Sequence, residues 1–132
     1  MKSIIFKLCS SSLLVLLIAQ NALAGAVVVI SNTGTTVSAS EVKDVFLGEK
    51  QFAGSIKLIP VDNAAAQEAF LSKFLQMDTT KYNGIWTKKS FRDGLTPPPV
   101  KSSDAEVVEY VKRTPGAVGY VSSNPSGVNI IQ

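Results

Sequence analysis

Apolar residues along this chain fall in short runs separated by Gly, Pro, Asn and Ser, and the spacing inside each run predicts an element. Residues 25–30 (GAVVVI) are a β-branched run closed by Ser31, Asn32 and Gly34, which predicts a buried strand. Ser38 and Glu41 have the spacing of a capping box, and Val42, Val45 and Phe46 follow at helical spacing before Gly48. Residues 56–61 (IKLIPV) predict a second strand, with Pro60 tolerable near its end or at an edge.

Asp62 and Asn63 are then expected to cap a helix over residues 64–76. Its apolar stripe is Ala66, Phe70, Leu71, Phe74 and Leu75. A further helix begins near Thr79 or Thr80, with Tyr82, Ile85 and Trp86 inward and Lys81, Lys88 and Lys89 outward. Gly94 and the Pro97-Pro98-Pro99 triplet predict a stiff extended loop. Ser103 or Asp104 caps a helix carrying Val107, Val108 and Val111, where Glu109 would reach Arg113 at i+4. Residues 117–121 and 128–131 read as two closing strands, the last paired with its predecessor. The order β-α-β-α-α-α-β-β implies an α/β domain with a mixed central sheet and helices packed on it.

The N-terminus adds a different signal. Lys2 and Lys7 precede the apolar stretch 13–19, and Ala22-Leu23-Ala24 ends the segment with small residues at the cleavage spacing. This predicts a signal peptide over residues 1–24, cleaved after Ala24, and a single exported, periplasmic domain over residues 25–132. The apolar stretch is much shorter than the roughly 20 residues of a membrane span. Cys9 lies before it, where a lipid-modified cysteine is not expected, and is removed with the signal.

Loss of Lys2 and Lys7 leaves 11 basic residues against 10 acidic ones. A chain so nearly neutral lacks the dense basic footprint of a nucleic-acid binder. The absence of histidine removes the commonest general base and the usual Ser/His and Cys/His nucleophiles, so neither an enzyme nor a cofactor or metal is expected. A Ser/Lys dyad stays open, but no pattern selects one. Asp104 and Glu106, two apart on a helix, point away from each other. Lys88, Lys89 and Arg92 form a basic cluster that reads first as a solvated helix end. Strand-to-helix junctions offer unpaired N–H groups to an oxyanion, and the turn at Asp62 and Asn63 is the best placed. Plain helix capping competes with that role.

SASEVKDVFLGEK (residues 38–50), KLIPVD (57–62), the Phe70/Phe74 helix, the Trp86-to-Phe91 stretch with Gly94, and TPGAVGYVSS (114–123) resemble the phosphate-type periplasmic substrate-binding proteins of ABC transporters. The resemblance implies a type II periplasmic-binding-protein fold, here as a single lobe, and capture of phosphate or another oxyanion by helix N-termini and hydroxyls. The implied site is the helix start at Asn63, Ala64, Ala65 and Ala66, where the family's Ser-Gly-Thr is replaced by three alanines. The family's nearby arginine is also missing, its place falling near Val61. The implied partners are an ABC transporter or another envelope protein, with a homodimer as one way to rebuild a two-walled cleft. The alternative is a lobe that has lost its ligand and serves as an interaction or scaffold module.

Overall fold

The computed structural model describes residues 26–132; the expected signal peptide and its cleavage site lie outside them. The chain opens with β1 (Val28–Ser31). A single turn at Ala39–Glu41 then leads into α1 (Val42–Phe46), and the capping box forms as Glu41 Oε1 accepts the Ser38 N–H at 3.0 Å. Gly48 ends this helix at φ 73°.

The expected second strand is divided. β2 (Phe52–Ala53) and β3 (Ile56–Lys57) make a small hairpin, and β4 (Ile59–Pro60) pairs in parallel with Ala117 and Val118 of β7 (Ala117–Val121). The main sheet runs β4-β7-β1-β8, with β8 at Asn129–Ile131. Pro60 therefore sits on an edge strand, where its missing N–H breaks no ladder. The last strand pairs antiparallel with β1 and not with β7, because β7 is already flanked by β1 and β4.

Asp62 and Asn63 form β5 (Asp62–Asn63), which continues the line of β4 and pairs in parallel with β6 (Val100–Lys101) beyond the proline triplet. The residues expected to cap a helix are thus strand. Residues 64–66 make a turn, and α2 (Gln67–Phe70) begins three residues later than expected, running on in a wider π-type turn over Leu71–Leu75. The expected stripe holds: Ala66, Phe70, Leu71 and Leu75 are buried and Phe74 packs against them.

α3 (Thr79–Asp93) starts at Asp78, whose carboxylate accepts the Lys81 N–H, and stops at Gly94 in the left-handed region. α4 (Asp104–Arg113) is capped by Ser103. The larger core cluster joins α1, α2 and α3 to one face of the sheet, where Phe70 stacks on Tyr120 with ring centroids 3.8 Å apart. The smaller cluster places Val107 and Val111 of α4 against Ile30, Ala117 and Val121. With helices on both faces, every residue of β7 is buried.

One outward assignment and one expected side-chain pair are corrected. Lys89 is buried, its Nζ bonded to Glu49 Oε1 at 2.9 Å; a long amphipathic side chain can bury its stem and still pair its charge. Glu109 and Arg113 form no ion pair among the described residues; Arg113 instead lies 6.0 Å from the Tyr110 ring centre.

Candidate functional site

β5 and β7 end side by side, and there the chain turns toward α2 and receives the N-terminus of α4. Asn63, fully buried, is the hub. Its Nδ2 donates to Asp104 Oδ1 at 2.7 Å and to the Tyr120 carbonyl at 3.0 Å, while its Oδ1 accepts the Ala65 N–H at 3.0 Å. Asp104 Oδ2 accepts the Ser122 N–H at 3.2 Å and Oγ–H at 2.7 Å. Asparagine suits the hub because its amide offers two donor hydrogens and a separate acceptor oxygen on a short stem, and all three are used here.

The four residues expected to bind an anion are contiguous in space as in sequence. The three alanine N–H groups are already used within the chain. Ala64 N–H donates to the Lys101 carbonyl at 2.9 Å, and Ala66 N–H to the Asn63 carbonyl at 3.0 Å, beside the Ala65 contact to Asn63 Oδ1. The Asp104 carboxyl lies beside them, bonded to Asn63 Nδ2. An oxyanion entering this turn has to displace Asn63 Oδ1 from the Ala65 N–H.

One residue earlier the chain buries a carboxylate. Asp62 is 2% exposed, and its two oxygens accept hydroxyl protons from Tyr120 at 2.8 Å and Tyr82 at 2.9 Å. Burial pushes its pKa up to about 6, against the opposing pull of the Tyr120 and Tyr82 hydrogen bonds. Both tyrosine hydroxyls are pushed above their ordinary range by burial first and by the Asp62 charge second. Proton transfer from either hydroxyl is therefore disfavoured, and the trio acts as a hydrogen-bonded tie between α3, β5 and β7.

Asp104 and Glu106 diverge as expected: Glu106 turns back to accept from the Ser102 N–H and Oγ–H, both at 3.0 Å. Tyr82 and Trp86 are core residues, and Trp86 Nε1 donates to the Phe46 carbonyl at 3.1 Å. The sequence reading missed the roles of Asp104 and Ser122 at the Asn63 hub. The polar Ser122-Ser123 pair directly after an apolar strand is the signal that marked this end of β7. No group of three or more His, Cys, Asp or Glu side chains among the described residues is placed to hold a metal ion.

Solved structures give the fold a context. PstS from Borrelia burgdorferi aligns with a TM-score of 0.56 at 19% identity, covering 80% of this chain and 46% of that one. The fold is similar to that of phosphate transport receptors. An ABC-type phosphate transport receptor from Vibrio cholerae aligns with a TM-score of 0.50 at 16% identity, over 81% of this chain and 45% of that chain. The likeness shows a mixed α/β fold shared with part of these receptors, and this chain spans less than half the length of either. No protein-family model matches the chain, and no curated protein matches its sequence.

Proposed function

We propose that this chain is an exported, non-enzymatic protein of the phosphate-receptor kind, a single lobe over residues 25–132 that engages phosphate or a related oxyanion at Asn63, Ala64, Ala65 and Ala66. The observation that supports it is the fold likeness to two phosphate receptors over about four-fifths of the chain. The mode of binding is exchange: the anion takes the Ala65 N–H from Asn63 Oδ1, without the hydroxyls of a Ser-Gly-Thr turn. Each missing charge-assisted hydrogen bond removes about 1.5–3 kcal/mol, so affinity is weak unless a homodimer supplies a second wall. An ABC transporter is the partner this reading implies. Calorimetry of the protein recovered after export, with phosphate and sulfate, tests it against an Asn63→Asp variant that repels anions. No heat at millimolar anion overturns it.

A second reading is favoured by the internal pairing of all three alanine N–H groups. Here the lobe has lost its ligand and contacts another envelope protein as an interaction or scaffold module. Crosslinking in the periplasm followed by identification of partners separates the two. A chain without partners but with measurable anion affinity rejects the second reading.

A further inference from the structure

A groove of about 610 Å³ runs along the outer edge of β4, well inside the roughly 300–1,000 Å³ typical of small-molecule sites. Its apolar lining includes the accessible Pro60, Leu95, Pro97 and Pro99 and the nearly buried Leu58 and Trp86. The charged residues lining it are Lys50 and Lys57; no acid lines it. Lys50 is held by Glu41 at 3.0 Å, whereas exposed Lys57 belongs to neither ion pair among the described residues.

The walls are fixed in advance. Trp86 is anchored through its indole N–H to Phe46, and Gly48 lies so close that an added Cβ would stand 3.0 Å from the indole ring. Gly116, at φ 87°, lets its backbone pack on the Lys57 carbonyl, which a Cβ there would meet at 2.0 Å. The proline triplet is pinned where the Asp62 N–H donates to the Pro99 carbonyl at 2.9 Å. A preformed site loses little conformational freedom when it binds.

The edge itself selects the kind of occupant. An added peptide strand needs main-chain donors, but the Leu58 N–H is given to Gln51, the Asp62 N–H to Pro99, and Pro60 has none. Strand addition is blocked while the apolar floor stays open. We propose that this groove binds a small amphiphilic anion, its apolar body on Leu95, Pro97 and Pro99 and its acidic head at Lys57. The inference goes beyond the oxyanion reading and stands without it, since the helix start at Asn63 contributes no residue to the groove.

Calorimetry of the exported protein with octanoate, octanol, octylammonium and inorganic phosphate tests it. Octanoate binds at submillimolar concentration, octanol and octylammonium bind about tenfold more weakly or not at all, and phosphate does not displace octanoate. Lys57→Glu weakens octanoate about tenfold and Lys57→Arg retains it. Thr96→Phe, which fills the groove from an exposed position, abolishes binding with the fold checked by circular dichroism. Octanol binding as tightly as octanoate, indifference to Lys57→Glu, or no heat from octanoate overturns the proposal. Phosphate heat that survives Lys57→Glu supports the oxyanion reading whatever octanoate does, so the two fail separately.

Discussion

Tyr120 donates its hydroxyl to Asp62 Oδ1 at 2.8 Å inside the protein, and Tyr82 supplies the other oxygen at 2.9 Å. The Asp62 carboxyl has a folded pKa of about 6, raised from 3.8 by burial. The folded state thus holds a proton that the unfolded state has released between those values. Its contribution is complete below about pH 4 and lost as pH rises through 6, on the order of 2–3 kcal/mol. Glu41, drawn down to about 2 chiefly by the Ser38 backbone N–H, acts in the opposite sense: its stabilisation is present above the ordinary glutamate range and lost in acid. Urea denaturation of the wild type and Asp62→Asn between pH 4 and 7 separates them. The difference between the two curves should change across pH 4–6 and be flat above it; a constant difference rejects the assignment.

Removing one hydroxyl at a time tests the same trio from the other side. Tyr82→Phe and Tyr120→Phe each keep the ring, including the Tyr120 stack on Phe70, but strip a donor from a buried carboxylate. Each should destabilise the protein by about 1–3 kcal/mol at pH 7 and by less at pH 4, where Asp62 is neutral. Equal losses at both values would mean that packing, not the hydrogen bond, was removed.

Gly119 lies against α4 without room for a side chain. A Cβ there would stand 2.7 Å from Val107 Cγ1 and 3.3 Å from Val111 Cγ2. Gly119→Ala should cost about 1–3 kcal/mol through overpacking, and the double variant Gly119→Ala with Val107→Ala should cost less than the two single losses added. Strict additivity in thermal or urea unfolding would show that the helix moves away freely.

Local signals in the sequence were legible where their partners lie within a turn of the chain. The Ser38/Glu41 box, Gly48, Gly94 and Ser103 act within a turn of the chain, so spacing alone revealed them. Pro60 could be confined to a strand end or an edge because its missing donor permits little else, and it sits on edge strand β4. Asp62 was misread as a cap because the groups that accommodate its burial lie 20 and 58 residues away, at Tyr82 and Tyr120. The Asn63 hub is likewise closed by Asp104, 41 residues on. The resemblance to phosphate-type receptors pointed to the right kind of fold. It carried no information on how the alanine turn satisfies its own N–H groups.

Asn63→Asp removes the donor that faces Asp104 Oδ1 at 2.7 Å and puts a second carboxylate in its place. It also takes away the hydrogen bond to the Tyr120 carbonyl. At pH 7 the variant should lose about 2–4 kcal/mol, since a buried charge then faces a like charge. Asp104→Asn in the Asn63→Asp background should restore part of the loss by returning an amide to the pair. Lack of rescue would show that the hub depends on the Tyr120 contact and not on Asp104.

Lys89 and Glu49 form an asymmetric pair at 2.9 Å, the lysine side chain 11% exposed and the glutamate 62%. The ion pair itself is solvent-facing on the acidic side, so Glu49→Gln should cost little, and less still in high salt. Lys89→Ala removes in addition the aliphatic stem that lies against the core and should cost more, with Lys89→Met recovering most of the difference. If Glu49→Gln and Lys89→Ala proved equal in urea unfolding and equally salt-sensitive, the charge contact would dominate and the buried stem would count for little.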